Sequence, residues 1–265
     1  MTAAVGLPPI TISEAAGVPH TGGLYSAATM DDRGDDRVAG GVLLEDVDDG
    51  AHGMWPAGCL PAETDEPEDP DAPAEPENVK GGLEECPPLT PFPATVVWAS
   101  DHRMLVGVSE EEARLAAART LYVTEQVDTE THTAALLADR AGTPATAVGT
   151  GGDALVAALG AVEAGLEQVG VVHAPRSAAA LAASKGLITE RSGKLYTPLG
   201  NRWAFGVGYR TDLAGLLVAT GPVLVTRSPV TTSMALNARK NTRLAVSERH
   251  IAVTWTGPTV AAAIA

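Results

Sequence analysis

Residues 108–141 read VSEEEARLAAARTLYVTEQVDTETHTAALLADRA, the only long stretch with both a helix start and a helix stop. Ser109 stands at the N-cap with Glu112 three residues on, the two halves of a capping box. Glu110 and Glu111 put negative charge on the positive end of the dipole, and Gly142 followed by Pro144 closes the far end. About 30 residues at roughly 1.5 Å each predict a rod of about 45 Å. Its apolar face is thin: Ala116, Val123, Val127, Ala134 and Leu137. Its middle, Thr124 to Thr133, is too polar to be buried on all sides. The expectation is a strut across a sheet with one flank left for solvent or a neighbour; an ordinary surface helix is the plainer alternative.

The 265 residues suffice for one large domain or two smaller ones, and with 45% apolar but only 4% aromatic residues the core must be Ala, Val and Leu. The formal charge of -15 is uneven: residues 1–100 carry 19 Asp/Glu against 3 Lys/Arg, residues 101–265 carry 14 against 15. Such acidity argues against sequence-independent binding to phosphates and suits a surface that lies near nucleic acid without adhering to it. Cys59 and Cys86 lack metal-ligand spacing; a disulfide between them is conceivable, and free thiols fit a reducing cytoplasm. No secretory signal opens the chain, and the longest apolar run, Leu213 to Val225, is too short and broken to cross a bilayer.

Outward from the helix, residues 1–35 are rich in Gly, Ala, Thr and Pro without a sustained period and read as an extended arm. Residues 36–98 hold a short apolar run, Val42 to Leu44, then nine prolines between Pro61 and Pro93 and ten carboxylates from Glu63 to Glu85 against Lys80 alone. That composition cannot form a core and predicts a solvated projecting loop, with a short hairpin at its base. Thr95 to Ala99 is a strand returning to the body. After the long helix, Asp153 caps a second helix in which Leu155, Leu159, Val162, Leu166 and Val169 recur at helical spacing up to Gly170. Then come a strand at Val171 to Ala174, a helix from Pro175 to Ala183, a hairpin over 187–197 and a strand from Arg202 to Tyr209. The last stretch reads as strands: 216–219, 223–226, 243–247 and 249–255. The order is α+β and lacks regular βαβ alternation.

No stretch carries a catalytic motif. Gly149-Thr150-Gly151-Gly152-Asp153 opens a helix as an anion loop would, yet it lacks Walker and dinucleotide spacing and places Asp153 at the cap; a hinge is the plainer reading. His173 at a strand end is a candidate base, though a structural histidine is the commoner case. The acids around Glu66 to Asp71 lack the glycine of a calcium loop. Arg239-Lys240-Asn241-Thr242-Arg243 is the one dense basic patch, a partner for a neighbouring chain's carboxylates or a polar turn.

In this order, and through Val171-Val172-His173-Ala174-Pro175-Arg176, Leu187 to Gly200 and Asn241 to Arg249, the chain resembles the major capsid proteins of tailed bacteriophages with the Hong Kong 97 phage fold, in particular the short forms from phages of actinobacteria. The resemblance implies an N-terminal arm (1–35), an extended loop (36–98), a peripheral domain with the spine helix (99–149), an axial domain (150–215) and closing peripheral strands (216–265). It also implies a structural, non-enzymatic role in an icosahedral shell around phage DNA, without cofactor or metal. The partners it implies are identical subunits in hexamers and pentamers, a separate scaffolding protein or none, portal and decoration proteins, and packaged double-stranded DNA nearby, in a virion assembled in the bacterial cytoplasm with no membrane. Interface candidates are Glu125, Asp128 and Glu130 on the spine, and Arg239, Lys240 and Arg243. An encapsulin-like compartment shell, another virion protein such as a tail tube or decoration subunit, and an enzyme using the Gly151-Gly152 loop with His173 stay open as alternatives.

Overall fold

The computed structural model describes residues 17–44, 90–107 and 109–264. Both cysteines, the carboxylate run from Glu63 to Glu85 and the first 16 residues of the arm lie outside the described residues. The long helix, α2 (Glu110–Arg140), begins as its capping box requires: Glu112 N donates to Ser109 Oγ at 3.2 Å, and Ser109 N donates to Glu112 Oε2 at 2.7 Å. Gly142, at φ +62°, turns the chain away at the other end.

The face that α2 buries differs from the one its apolar residues suggest. Ala113, Ala117 and Leu121 lead into Glu125, Gln126, Thr129, Glu130 and Thr133, then Ala134 and Leu137, while Ala116, Val123 and Val127 are only half-buried. Small side chains explain the first part: Ala113 and Ala117 pack on Ala245 and let the helix axis approach the sheet. The second part is polar and buried, and it needs polar partners.

The sheet beneath α2 is organised on β12 (Thr242–Trp255), a strand of 14 residues. Along one edge, β11 (Thr231–Asn237) and then β10 (Val223–Arg227) pair antiparallel with it; β4 (Thr95–Met104) takes the other edge. β1 (Thr29–Asp32), preceded by the short helix α1 (Leu24–Ala27), adds to β10 in parallel. Alternation along β4 turns Val97 and Ala99 inward and leaves Val96 and Trp98 exposed on the opposite face. β2 (Val42–Leu44) and β3 (Thr90–Phe92) form the expected hairpin base. Arg140 secures it to the end of α2, with Cζ 4.0 Å from the centre of the Phe92 ring and Nη2 donating to Pro91 O at 2.9 Å.

A second, six-stranded sheet follows. Its centre is β5 (Val171–Pro175), with β8 (Arg202–Gly206) parallel on one side and β9 (Leu216–Thr220) antiparallel on the other. β6 (Thr189–Arg191) and β7 (Lys194–Tyr196) are the predicted hairpin, and β13 (Val260–Ala263) closes the far edge on β9. Helices α3 (Gly151–Ala164) and α4 (Ala179–Ser184) cover it, and Leu155, Leu159, Val162, Trp203 and Phe205 share its core.

Several expectations are corrected. Thr150, not Asp153, is the N-cap of α3, and the helix stops at Gly165 instead of Gly170, leaving Val169 exposed. A Cβ at residue 165 would meet Val260 Cγ2 at 2.9 Å, so glycine leaves room for β13 to pass close to the helix end. Pro175 ends β5 and a 3-10 turn, Arg176–Ala178, precedes α4. Tyr209 lies in another such turn beyond β8. The strands expected at 243–247 and 249–255 are one, and β11 was not foreseen. The stretch 216–265 divides between the sheets: β9 and β13 join the second, β10 to β12 the first.

Leu137→Ala should lower unfolding free energy by about 2–5 kcal/mol through the cavity it leaves. Leu115→Ala, on the exposed side of the same helix, should barely shift the urea midpoint.

Candidate assembly site

The polar middle of α2 is where the arm is received. Glu130 is fully buried, and its carboxylate accepts from four donors. His20 Nε2, Leu24 N and Gln126 Nε2 each lie 3.0 Å from Oε1, and Gly208 N lies 3.1 Å from Oε2. A buried carboxylate is tolerable only when its lone pairs are filled in this way. A Cβ at residue 208 would sit 2.5 Å from both Thr131 N and Val127 O, so only glycine lets that turn approach the helix.

One turn earlier, Glu125 Oε1 accepts from Tyr25 Oη at 2.9 Å and from Arg227 Nη1 at 2.8 Å, and Oε2 accepts from Arg249 Nη1 at 3.4 Å. Arg227 also forks onto Asp32, at 2.7 and 2.9 Å. The bond from Arg227 holds the Asp32 carboxyl below its usual range. Burial works to lower Arg227, but the bonds to Asp32 and Glu125 outweigh it and the guanidinium is held more firmly charged. Burial, then the Glu125 charge, pushes the Tyr25 hydroxyl up. Above this network opens a cleft of about 410 Å³, walled by Pro19, Leu121, Tyr122 and Val230.

The six interface candidates therefore separate. Glu125 and Glu130, expected on a flank facing a neighbour, are instead buried inside the chain, where the arm, Gln126, Gly208, Arg227 and Arg249 donate to them. Asp128 stands on the exposed side, its carboxyl raised by partial burial. Arg239 and Lys240 are exposed on the turn between β11 and β12. Arg243 is half-buried, with Nη2 3.5 Å from Leu105 O and Nε without a partner among the described residues. No hydrogen bond or ion pair joins any two of the six among the described residues. Tyr25, Asp32, Arg227 and Arg249 were missed; each meets its partner across about a hundred residues or more, a relation without periodicity.

The groups considered for chemistry are occupied structurally. His173 is buried with Nδ1 3.0 Å from Tyr209 Oη and Nε2 3.2 Å from Thr220 Oγ1, and burial lowers its pKa to about 3. Closed off from solvent and bonded at both nitrogens, it has no opening for a substrate. Asp153 pairs with Lys185 Nζ at 2.9 Å beside the Gly151-Gly152 turn. Among the described residues no group of His, Cys, Asp or Glu could hold a metal, and no helix is long and apolar enough to cross a membrane.

No protein-family model matches the sequence, and no curated protein matches it. Solved structures do match. The mature capsid asymmetric unit of bacteriophage PhiM1 aligns at TM-score 0.52 and 11% identity, covering 98% of this chain and 92% of that one. A structure from Microbacterium phage Oxtober96 aligns at TM-score 0.50 and 15% identity, over 99% and 96%. The holo-SrpI encapsulin of Synechococcus elongatus aligns at TM-score 0.43 and 11% identity, over 66% and 75%. The fold is the α+β Hong Kong 97-type capsid fold.

Glu130→Gln is nearly isosteric, yet its amide N–H group would face a donor whichever way it turned; a loss of about 1–3 kcal/mol in chemical unfolding is expected. His173 gives a pH signature. Its folded pKa, about 3, lies below the unfolded value near 6.5, so the unfolded chain alone takes up the proton between them. Its contribution to stability is complete above pH 6.5 and falls by up to about 1.4 kcal/mol per unit as pH drops towards 3. Urea titrations across that window should show a shallower slope for His173→Gln.

Proposed function

We propose that this chain is a structural major capsid protein that self-assembles into the icosahedral shell enclosing phage genomic DNA. The observation that carries the reading is the alignment of nearly the whole chain, arm side to last strand, with a mature phage capsid subunit. Physical features support it. Trp98, 59% exposed, shares the open face of β4 with Val96, an apolar surface that association would cover. The long helix receives the arm on one side and keeps Leu115 and Tyr122 exposed on another.

The partners under this reading are identical subunits in hexamers and pentamers, with scaffolding, portal and decoration proteins and packaged DNA as further neighbours. The shell is assembled in the host cytoplasm and ends in the virion. Asp128, Arg239, Lys240 and Arg243 remain the interface candidates, since the first three are exposed and the last has a donor to spare. An acidic wall would also repel packed phosphate over a screening length of roughly 8–10 Å.

The test is assembly of the purified chain, alone or with a scaffolding protein, viewed by negative-stain microscopy. Closed particles are expected; monomer in sedimentation under every condition would sink the proposal. DNA-filled heads separate it from a compartment shell, which would carry cargo enzymes. Arg239→Glu with Lys240→Glu should leave the monomer's urea midpoint unchanged and cut particle yield severalfold, as two rim contacts of about 0.2–1 kcal/mol each would.

A further inference from the structure

Residues 20–28 are bonded to both halves of the molecule. Towards the second sheet, Phe205 N donates to Gly22 O at 2.8 Å, Arg176 Nη1 to Thr21 O at 3.2 Å, and Arg202 Nη1 to Ala27 O at 2.9 Å. Towards α2 and the first sheet, Leu24 N donates to Glu130 and Tyr25 Oη to Glu125, and β1 follows at once on β10. The two sheets also share apolar core, through Val171, Ala204, Val218 and Ala261 against Val225 and Val253. Apolar contact is non-directional and tolerates sliding and rotation, whereas hydrogen bonds weaken steeply off axis.

We infer that residues 20–28 are a strap that sets the angle between the two sheets, with Glu130 as the point where strap, long helix and the turn at Gly208 are fastened to one carboxylate. Docking of the strap and orientation of the halves are thereby one event: Gly208 N and Leu24 N are held by the two oxygens of the same group, so neither half turns without disturbing the other's bond. In a shell, the angle within each subunit contributes to the curvature of the lattice; this consequence rests on the proposed function, the strap itself does not.

The experiment uses the soluble, unassembled chain with Cys59→Ser and Cys86→Ser, carrying spin labels at Arg119→Cys on α2 and Glu190→Cys on the second sheet, both exposed. Pulsed dipolar spectroscopy should give one narrow distance. Glu130→Gln should replace it with a broad distribution, and so should Arg176→Ala with Arg202→Ala, a pair that keeps the carboxylate intact should Glu130→Gln fail to fold. Leu155→Ala, which weakens the second core away from the strap, should leave the distance narrow. A distribution that stays narrow in the strap variants, or that Leu155→Ala broadens equally, overturns the inference. Where wild-type particles form, strap variants should give mixed diameters, and uniform particles from a chain with a broadened distance would refute the link to curvature. If wild-type chain forms no particles, the proposed function fails while the label distances still decide the strap.

Discussion

A carboxylate with no exposure, set in the middle of the longest helix, is the constraint to which the rest of the structure answers. Left unpartnered, Glu130 would cost more than the helix's few apolar contacts return. Its bonds go to His20 and Leu24 of the arm, to Gln126 on its own helix and to the turn at Gly208. The arm lies where it does because that group must be satisfied, and residue 208 is glycine because the turn must come within reach. Glu125 repeats the logic with Tyr25, Arg227 and Arg249, and through Asp32 it extends to the first strand.

This arrangement also suits a chain poor in aromatic residues. Ala-rich surfaces bury little area per side chain, but they allow α2 to lie close on β12 and β4. Polar bonds then specify orientation where bulky side chains would otherwise do so. The larger side chains are concentrated in two places: Trp203 stacks on Phe205 in the second core, and Phe92 meets Trp255 edge-on under Arg140 at the root of the loop. The second pair joins strands far apart in sequence, whereas Trp203 and Phe205 are neighbours on β8 that fill the second core together.

The legible part of the fold was local. Ser109 with Glu112 and the glycine at 142 placed α2 to within a residue, and Ser192-Gly193 between short apolar runs placed a hairpin. The α+β class and the order of elements followed from such signals. Legibility ended where long-range partners decide. Leu166 and Val169 kept helical spacing after the helix had stopped at Gly165, where a side chain would meet Val260 of a distant strand. β11 was unreadable since Thr231-Thr232-Ser233-Met234-Ala235-Leu236-Asn237 has no polar–apolar alternation and the strand is largely exposed. The candidate site was half legible: the unusual polarity between Thr124 and Thr133 marked the right stretch, yet the same polarity fits a face turned to a neighbour or one closed by the chain itself. Only the position of the arm distinguishes them, and the arm carries no periodic signal.

The parallel pairing of Thr29 to Asp32 with Leu224 to Arg227 has a consequence for how the molecule is made. Asp32 and Arg227 are 195 residues apart, so β1 has no seat until β10 has been synthesised. Such closure is entropically costly and slow compared with the helix and hairpins between. Residues 20–25, by contrast, find their carboxylate partners on α2, which needs no part of β10. Seating β1 is therefore the contact that spans the most sequence among these bonds, and the helix and hairpins between have only local closures to make.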